Sequence, residues 1–199
     1  MVKSIGGDIT VKIVNWSLDA DILNYLFETI EPGYFSRPDP QPELSMERLA
    51  ILRLFLYTQT VVATPTVRGQ IEAFSQTKKG KQVENLLNVL LPEVGWNLDP
   101  TLVRGRADEL NAIHRSANPK RNEGCYKDCE ILAEAESCDL RGVLTNDRSF
   151  LNRLSSKTTL LMKRPSELWV AINLPKGVAP VQSPRYDNPL IAYQSQWVW

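Results

Sequence analysis

The sequence predicts an α/β fold built around a parallel sheet. Residues 9–18 form a β-branched and aromatic run followed by a helical pattern, and residues 127–154 have the pattern of a helix, a short strand and a second helix. A further strand pattern at 159–162 precedes a helical one at 165–172. Regular alternation of strands and helices is typical of parallel sheets with helical connections. We therefore expect one α/β domain.

Composition limits the classes of protein to which the chain can belong. With 199 residues and 43% hydrophobic content, the chain is long enough to bury the core of one domain. Its 23 basic and 23 acidic residues give no net charge, so only a local patch can attract a polyanion. The sequence contains no secretory signal and no apolar run of the ~20 residues that a membrane span needs. We therefore expect a soluble cytoplasmic protein.

The N-terminal half predicts a first strand and three helices. The strand ends beside Asp19, and the first helix follows it directly. Residues 31–43 contain four prolines and a glycine and are predicted to form a loop, whereas residues 44–60 form a second helical run. A short β-branched segment at 61–63 precedes a threonine and a proline, which favour a helix start with proline at its first position. The predicted core residues are Ile22, Leu23, Leu26 and Phe27 in the first helix, and Val67, Ile71 and Phe74 in the third.

Two polar residues of the third predicted helix are expected to point in different directions. At about 100° per residue, Gln70 flanks the apolar stripe, whereas Glu72 points well over 90° away from the centre of that stripe. Only Gln70 is therefore expected to face along the edge of the sheet.

Residues 127–154 place two aspartates at junctions between helix and strand. Asp128 is expected in the first turn of a helix that ends where the pattern is interrupted at 139–142. A short buried strand at 143–144 follows, and Asn146 or Asp147 is expected to cap the next helix. The apolar face of that helix is predicted to consist of Phe150, Leu151 and Leu154.

Two basic segments accompany further predicted helices at 83–91 and 102–113. Both segments are most typical of solvated loops, and contact with phosphate groups is the alternative interpretation. His114 is expected to be structural, and the three cysteines are expected to be reduced thiols rather than zinc ligands. The segment at 175–199 has four prolines and no clear period, and an extended tail is expected there. The basic residues are Lys78, Lys79 and Lys81 in the first segment, and Arg115, Lys120 and Arg121 in the second.

Three aspartates, Asp19, Asp128 and Asp147, are predicted to meet at one edge of the sheet. In a parallel sheet the carboxyl ends of all strands face the same edge, and a helix that leads into a strand begins at that edge. Each aspartate can alternatively cap a helix or complement its dipole. Three carboxylates held together would repel and raise each other's pKa unless a cation neutralised them. Oxygen ligands without nitrogen or sulfur favour Mg²⁺ or Mn²⁺.

Four segments of the chain resemble the PIN domain family of nucleases. They are LDADIL from residue 18, TPTVRGQI from residue 64, KDCEILAEA from residue 127 and LTNDRSFLNRL from residue 144, in the order of the family. The resemblance covers the domain at 1–174 and implies a three-layer α/β/α sandwich with a central parallel sheet. It also implies divalent-metal-dependent cleavage of RNA, and many members are toxins of toxin-antitoxin pairs.

The resemblance also implies roles for individual residues. Gln70 stands where the family usually has glutamate, which removes one negative charge and is expected to weaken metal binding or change the preferred metal. Basic residues of the two loops would hold RNA as the substrate. An antitoxin protein is the expected partner and a homodimer the expected assembly. The implied catalytic acids and ligands of Mg²⁺ or Mn²⁺ are Asp19, Asp128 and Asp147, and the implied supporting residues are Gln70, Asp21, Thr145 and Asn146.

Two other functions are open on the sequence. A PIN-fold protein whose chemistry was lost with the glutamate would bind RNA or regulate a process without cutting RNA. Alternatively, Asp19 and Asp21 match the DxD motif of haloacid-dehalogenase-like phosphatases, with Asp19 as the nucleophile, although Leu23 stands where threonine or valine is expected. Metal-dependent cleavage of RNA separates a nuclease from the first alternative, and activity on small phosphate esters would identify the second.

Overall fold

The computed structural model describes residues 15–29, 41–57, 60–75, 91–95, 97–116 and 124–171, and these residues form a mixed α/β fold. The predicted class is therefore confirmed. The elements are β1 (Trp16–Leu18), α1 (Ala20–Thr29), a 3₁₀ turn (Pro42–Leu44), α2 (Ser45–Tyr57), α3 (Pro65–Ser75), α4 (Pro100–Ser116), α5 (Gly124–Ser137), β2 (Gly142–Leu144), α6 (Arg148–Leu154), β3 (Leu161–Lys163) and α7 (Pro165–Ala171).

The sheet is parallel, and its strands lie in the order β1-β2-β3. At the carboxyl ends, Leu18 pairs with Leu144, which pairs in turn with Lys163. On the other side of β1, single parallel bridges add the segment at 61–63 and, beyond it, Glu93. The chain thus passes from β1 to the segment at 61–63 on one side of it, and later returns to form β2 on the opposite side of β1. The crevice at the carboxyl ends of β1 and β2 is therefore a topological switch point, the place where α/β sheets bind ligands.

Gly142 allows the three strands to approach one another. A Cβ atom at this position would overlap the carbonyl oxygen of Leu161 in β3 and the indole ring of Trp16 in β1. Any other residue would therefore force the neighbouring strands apart. The glycine that ends a helical pattern in the sequence is thus required by packing in the sheet.

The helices form two packed groups. Helix α2 packs against α1 and α7, whereas α5 packs against α3, α4 and the strands β1 and β2, and α4 also contacts α6. The predicted core residues of α1 and α3 are buried, except that Phe74 is only partly buried, and one cluster of apolar side chains joins both groups. Within the described ranges, no helix is both long and apolar enough to cross a membrane.

Carboxylates from distant helices cap the N-termini of α3 and α7. Glu134 of α5 accepts hydrogen bonds from the backbone N–H of Thr66, at 3.0 and 3.1 Å, and from its hydroxyl at 2.8 Å. Glu47 of α2 accepts the equivalent bonds from Ser166, at 2.9 Å from the N–H and 2.7 Å from the hydroxyl. N–H groups in the first turn of a helix have no partner within the helix. These bonds therefore satisfy them and fix α5 against α3 and α2 against α7.

The predicted start of α5 is wrong by one turn. The helix begins at Gly124, so Asp128 lies in the second turn rather than the first. Cys125 and Cys129 are both buried and four residues apart, so the buried face of the helix extends one turn towards the N-terminus. Both thiols thus lie on the buried face of the helix.

Other boundaries differ less or lie outside the described residues. Helix α4 begins at Pro100 itself, which the sequence suggested only as a separator between helices. The last strand is shifted by one or two residues, from the predicted 159–162 to Leu161–Lys163. The strand residues at 9–14, the helical run at 83–90 and the tail at 175–199 lie outside the residues that the structure describes.

Two glycine substitutions test the packing of the sheet. Gly105, in the interior of α4, has open space where a Cβ would lie, so Gly105→Ala should raise the free energy of unfolding by about 0.5–1 kcal/mol. Gly142→Ala should lower it by about 1–3 kcal/mol or more, because the new methyl group overlaps two neighbouring strands. Urea denaturation followed by circular dichroism measures both changes. Changes of the same sign in the two variants would contradict the described packing.

Candidate functional site

The carboxyl group of Asp19 lies at the switch point of the sheet. The backbone N–H of Asp19 donates to the carbonyl oxygen of Leu144 at 3.0 Å, which continues the pairing of β1 with β2 by one residue. The side chain caps the start of α1, since its Oδ1 accepts a hydrogen bond from the backbone N–H of Ile22 at 3.0 Å. Asp19 is only 4% exposed. The strand and the helix together therefore hold this carboxyl group inside the protein.

The hydroxyl group of Thr145 connects Asp19 to Asp147. The backbone N–H of Asp147 donates to the Thr145 hydroxyl oxygen at 3.1 Å, and the Thr145 side chain is in turn hydrogen-bonded to the Asp19 carboxyl group. Asp147 is the N-cap of α6, because its Oδ1 accepts from the backbone N–H groups of Ser149 and Phe150 at 2.8 and 3.0 Å. Of the two predicted caps, Asn146 and Asp147, the structure thus identifies Asp147.

Burial and neighbouring charges raise the pKa of Asp19 from 3.8 to about 8. Loss of hydration on burial is the largest cause, and the negative charges of Asp128 and Asp21 raise the pKa further. Hydrogen bonds from Thr145 and Ile22 act in the opposite direction. The structure therefore brings Asp128 and Asp21 close enough to Asp19 for their charges to act on it. At neutral pH this carboxyl group holds a proton unless a cation takes its place.

The oxygen atoms at this edge suit a hard cation that keeps part of its water. In the described part of the chain, no three side chains of histidine, cysteine, aspartate or glutamate are grouped closely enough to hold a metal ion by themselves. Mg²⁺ is commonly held by one or two carboxylates and completes its coordination with waters and phosphate oxygens of the substrate. Asp19 and Asp128, whose charges act on each other, are the two carboxylates that could hold such a cation here.

Gln70, the residue of α3 that was predicted to face the edge of the sheet, carries a buried acceptor. Its side-chain Oε1 is buried and has no hydrogen-bond partner among the described residues. Gln70 lies on α3, which packs against α5, the helix that carries Asp128. A buried acceptor without a donor is costly, and a cation or its bound water would satisfy it. Glu72 is exposed and lies 3.5 Å from Arg68, which agrees with the predicted outward direction of its side chain.

Tyr25 belongs to the site and was not predicted from the sequence. It follows Asp21 by four residues on α1, so the two side chains share a face of that helix. The Tyr25 hydroxyl oxygen accepts a hydrogen bond from Nδ2 of Asn146 at 3.1 Å. The guanidinium group of Arg48 lies 5.4 Å from the centre of the Tyr25 ring. The spacing places Tyr25 beside Asp21 on the helix, but its contact with Asn146, 121 residues away, has no local signal in the sequence.

Most of the predicted RNA-binding residues lie outside the described ranges. Arg115 is exposed in the last turn of α4. His114 is buried with its ring centre 5.7 Å from that of Phe150, which is the structural role expected of it. The three cysteines are free thiols. The five predicted RNA-binding residues that lie outside the described ranges are Lys78, Lys79, Lys81, Lys120 and Arg121.

Comparison of the chain with models of known protein families, with curated proteins and with solved structures finds no match.

The raised pKa of Asp19 predicts how stability changes with pH. The folded chain retains the Asp19 proton up to a pH of about 8, whereas the unfolded chain releases it near 3.8. The contribution of Asp19 to the free energy of unfolding is therefore most favourable at low pH and is lost as the pH rises between those two values. In EDTA, Asp19→Asn should remove part of the fall in melting temperature that the wild type shows between about pH 5 and about pH 9.

The control for this experiment is Asp99→Asn, which makes the same chemical change at an exposed cap of α4, where Asp99 accepts a hydrogen bond from the Thr101 N–H at 2.8 Å. Melting of the three proteins, followed by circular dichroism across the pH range, measures the difference. The same pH dependence in the wild type and in Asp19→Asn would contradict the burial of an Asp19 carboxyl group with a raised pKa.

Proposed function

We propose that the protein is a divalent-metal-dependent ribonuclease with the three-layer sandwich fold of PIN domains. The observation that supports the proposal most is the buried carboxyl group of Asp19 at the switch point of the sheet, within reach of the charge of Asp128. A carboxyl group in such a place needs a proton or a cation to offset its burial. The four segments that resemble PIN nucleases favour the cation, with phosphodiester hydrolysis as its chemistry.

The residues of the edge would divide the work of binding between them. Asp19, Asp128 and Asp147 would hold Mg²⁺ or Mn²⁺, and Gln70 and Asp21 would add oxygen donors directly or through water. When bound, the cation supplies an activated water and neutralises the leaving oxygen of the phosphodiester. Arg115 and the lysines and arginine of the predicted basic loops would hold the RNA backbone.

Thr145 would orient the first of these acids. Its hydroxyl oxygen already accepts the N–H of Asp147, so its hydrogen is available to donate to the Asp19 carboxylate. Because the same N–H belongs to the cap of α6, the position of that helix sets the position of the hydroxyl group. The loop at 145–147 thus fixes the Asp19 carboxylate relative to the Asp147 side chain.

A second function, RNA binding or regulation without cleavage, is favoured by one observation. Gln70 is a neutral amide at the position where glutamate is usual, and its unpartnered Oε1 brings a dipole where a carboxylate would bring a full negative charge. Weaker attraction for a cation would leave the edge able to bind RNA without hydrolysing it. An antitoxin partner and a homodimer are further proposals that rest on the resemblance alone.

The proposed ribonuclease activity depends on the carboxylates of Asp19 and Asp128. Asp19→Asn and Asp128→Asn should each lower the Mn²⁺-dependent cleavage of a single-stranded RNA library by at least about 100-fold, because each substitution removes a charged ligand. Asp99→Asn, the exposed cap of α4, should retain wild-type activity. Cleavage is measured with end-labelled RNA in Mg²⁺, in Mn²⁺ and in EDTA. If the folded wild type binds RNA without cleaving it in either metal, the non-cleaving alternative is correct.

Asp147→Asn separates a metal ligand from a helix cap. Asparagine retains an acceptor for the N–H groups of Ser149 and Phe150 and removes one negative charge from the acidic edge. In EDTA, at a pH above about 8 where Asp19 is also ionised, the free energy of unfolding of the variant should therefore be about 0.5–2 kcal/mol higher than that of the wild type. It should also lose the rise in melting temperature that Mn²⁺ gives the wild type. A lower stability together with an unchanged Mn²⁺ response would make Asp147 a cap and nothing more.

A further inference from the structure

The orientation of the Tyr25 hydroxyl group is set by Asn146. Nδ2 of Asn146 donates a hydrogen bond to a lone pair of the hydroxyl oxygen. The hydroxyl hydrogen therefore points away from Asn146. Among the described residues, the hydroxyl of Tyr25 has no other hydrogen-bond partner. Its hydrogen is therefore not used by any acceptor in the described part of the chain.

The ring of Tyr25 is held in place from one side. Arg48 lies over the ring, and its Nε donates to Glu28 at 2.7 Å while its two terminal nitrogens donate to Gln41 at 3.2 and 2.9 Å. A cation over an aromatic face within about 6 Å is an attractive contact. Since the guanidinium group is engaged with Glu28 and Gln41, it serves to position Tyr25 and is not available as a separate contact for a ligand.

The hydroxyl group lies beside the acidic edge. The negative charges of Asp21 and Asp19 act on Tyr25 and, with burial as the largest cause, raise its pKa above 10.0. The hydroxyl therefore keeps its hydrogen at neutral pH. Asn146, the residue that it contacts, stands between Thr145 and Asp147, the two residues that join Asp19 to the cap of α6.

An RNA phosphodiester that approaches this edge meets several carboxyl groups. A cation held by Asp19 and Asp128 would neutralise part of the charge of the phosphodiester, and a hydrogen-bond donor beside it would stabilise a non-bridging oxygen. A neutral hydroxyl can supply that hydrogen bond and does not compete with the cation for the carboxylates. A positively charged lysine or arginine would compete with it. Among the described residues beside Asp19 and Asp21, Tyr25 has a donor hydrogen that is not already used.

We propose that Tyr25 contacts the substrate, with its hydroxyl group donating a hydrogen bond to a non-bridging oxygen of the RNA phosphodiester at the metal site. This inference rests on the proposed ribonuclease function. Tyr25 lies outside the four segments that resemble PIN nucleases. Asn146 and Arg48 act as positioning residues, one for the hydroxyl group and the other for the ring.

The test compares two substitutions that each remove one tyrosine hydroxyl. Tyr25→Phe should lower kcat/KM for RNA cleavage in Mn²⁺ by about 10- to 100-fold, the loss expected for one hydrogen bond to a charged group. Tyr126→Phe is the matched control, because Tyr126 is also half-buried but its hydroxyl is hydrogen-bonded to Asp108. The control should cleave RNA at the wild-type rate.

Two further measurements distinguish a substrate contact from a structural role. The affinity for Mn²⁺ and the melting temperature should be the same in Tyr25→Phe and in the wild type, because the substitution leaves the carboxylates and the ring in place. The Asp147→Asn background should not cleave RNA, so binding can be measured in it. There Tyr25→Phe should weaken binding of an RNA oligonucleotide at least about threefold. The rest of the loss in kcat/KM should arise in the transition state. Asn146→Ala should show a smaller loss in the same direction.

The outcomes separate this inference from the proposed function. If the wild type cleaves RNA and Tyr25→Phe cleaves it equally well, the hydroxyl does not contact the substrate and the inference fails while the ribonuclease stands. If the wild type binds RNA without cleaving it and Tyr25→Phe weakens that binding, the contact stands while the nuclease fails. Absence of RNA binding in all variants, or a loss of Mn²⁺ affinity or folding in Tyr25→Phe, would overturn the inference.

Discussion

Burial of the Asp19 carboxyl group is the constraint on which the rest of the candidate site depends. It lies at the carboxyl end of β1, and the hydrogen bonds from Ile22 and Thr145 only partly offset the loss of hydration that raises its pKa to about 8. Burial of a charged carboxylate is unfavourable unless a proton or a cation compensates it. A fold that buries such a carboxyl group at its switch point therefore favours the binding of a proton or a cation there.

The loop at 145–147 links stability to the site. Asp147 caps α6 through its side chain and fixes Thr145 through its backbone, so the start of one helix and the orientation of Asp19 share the same hydrogen bonds. Elsewhere the fold uses the same device over longer distances, where Glu134 and Glu47 cap helices that begin far away in the sequence. Carboxylate caps thus hold helices in place both locally and across the fold.

The sequence was sufficient for the parts of the site that are local. Asp19 ends a strand, Asp147 caps a helix and Thr145 lies between strand and cap, and each position follows from patterns within a few residues. Tyr25 was missed because its partner Asn146 is 121 residues away and no local pattern announces that contact. Asp128 was predicted in the first turn of its helix, whereas the helix begins at Gly124 and Asp128 lies in the second turn.

By itself, the sequence determined which segments are helix or strand, since apolar periodicity, proline and capping residues act over one or two turns of the chain. Only the tertiary structure decided that the segment at 61–63 lies beside β1 on the side away from β2, which creates the switch point. It also decided that Asp19 is buried while Asp21, two residues later, is exposed. The reason is that desolvation and charge depend on neighbours such as Asp128 and Thr145, which come from more than a hundred residues further along the chain.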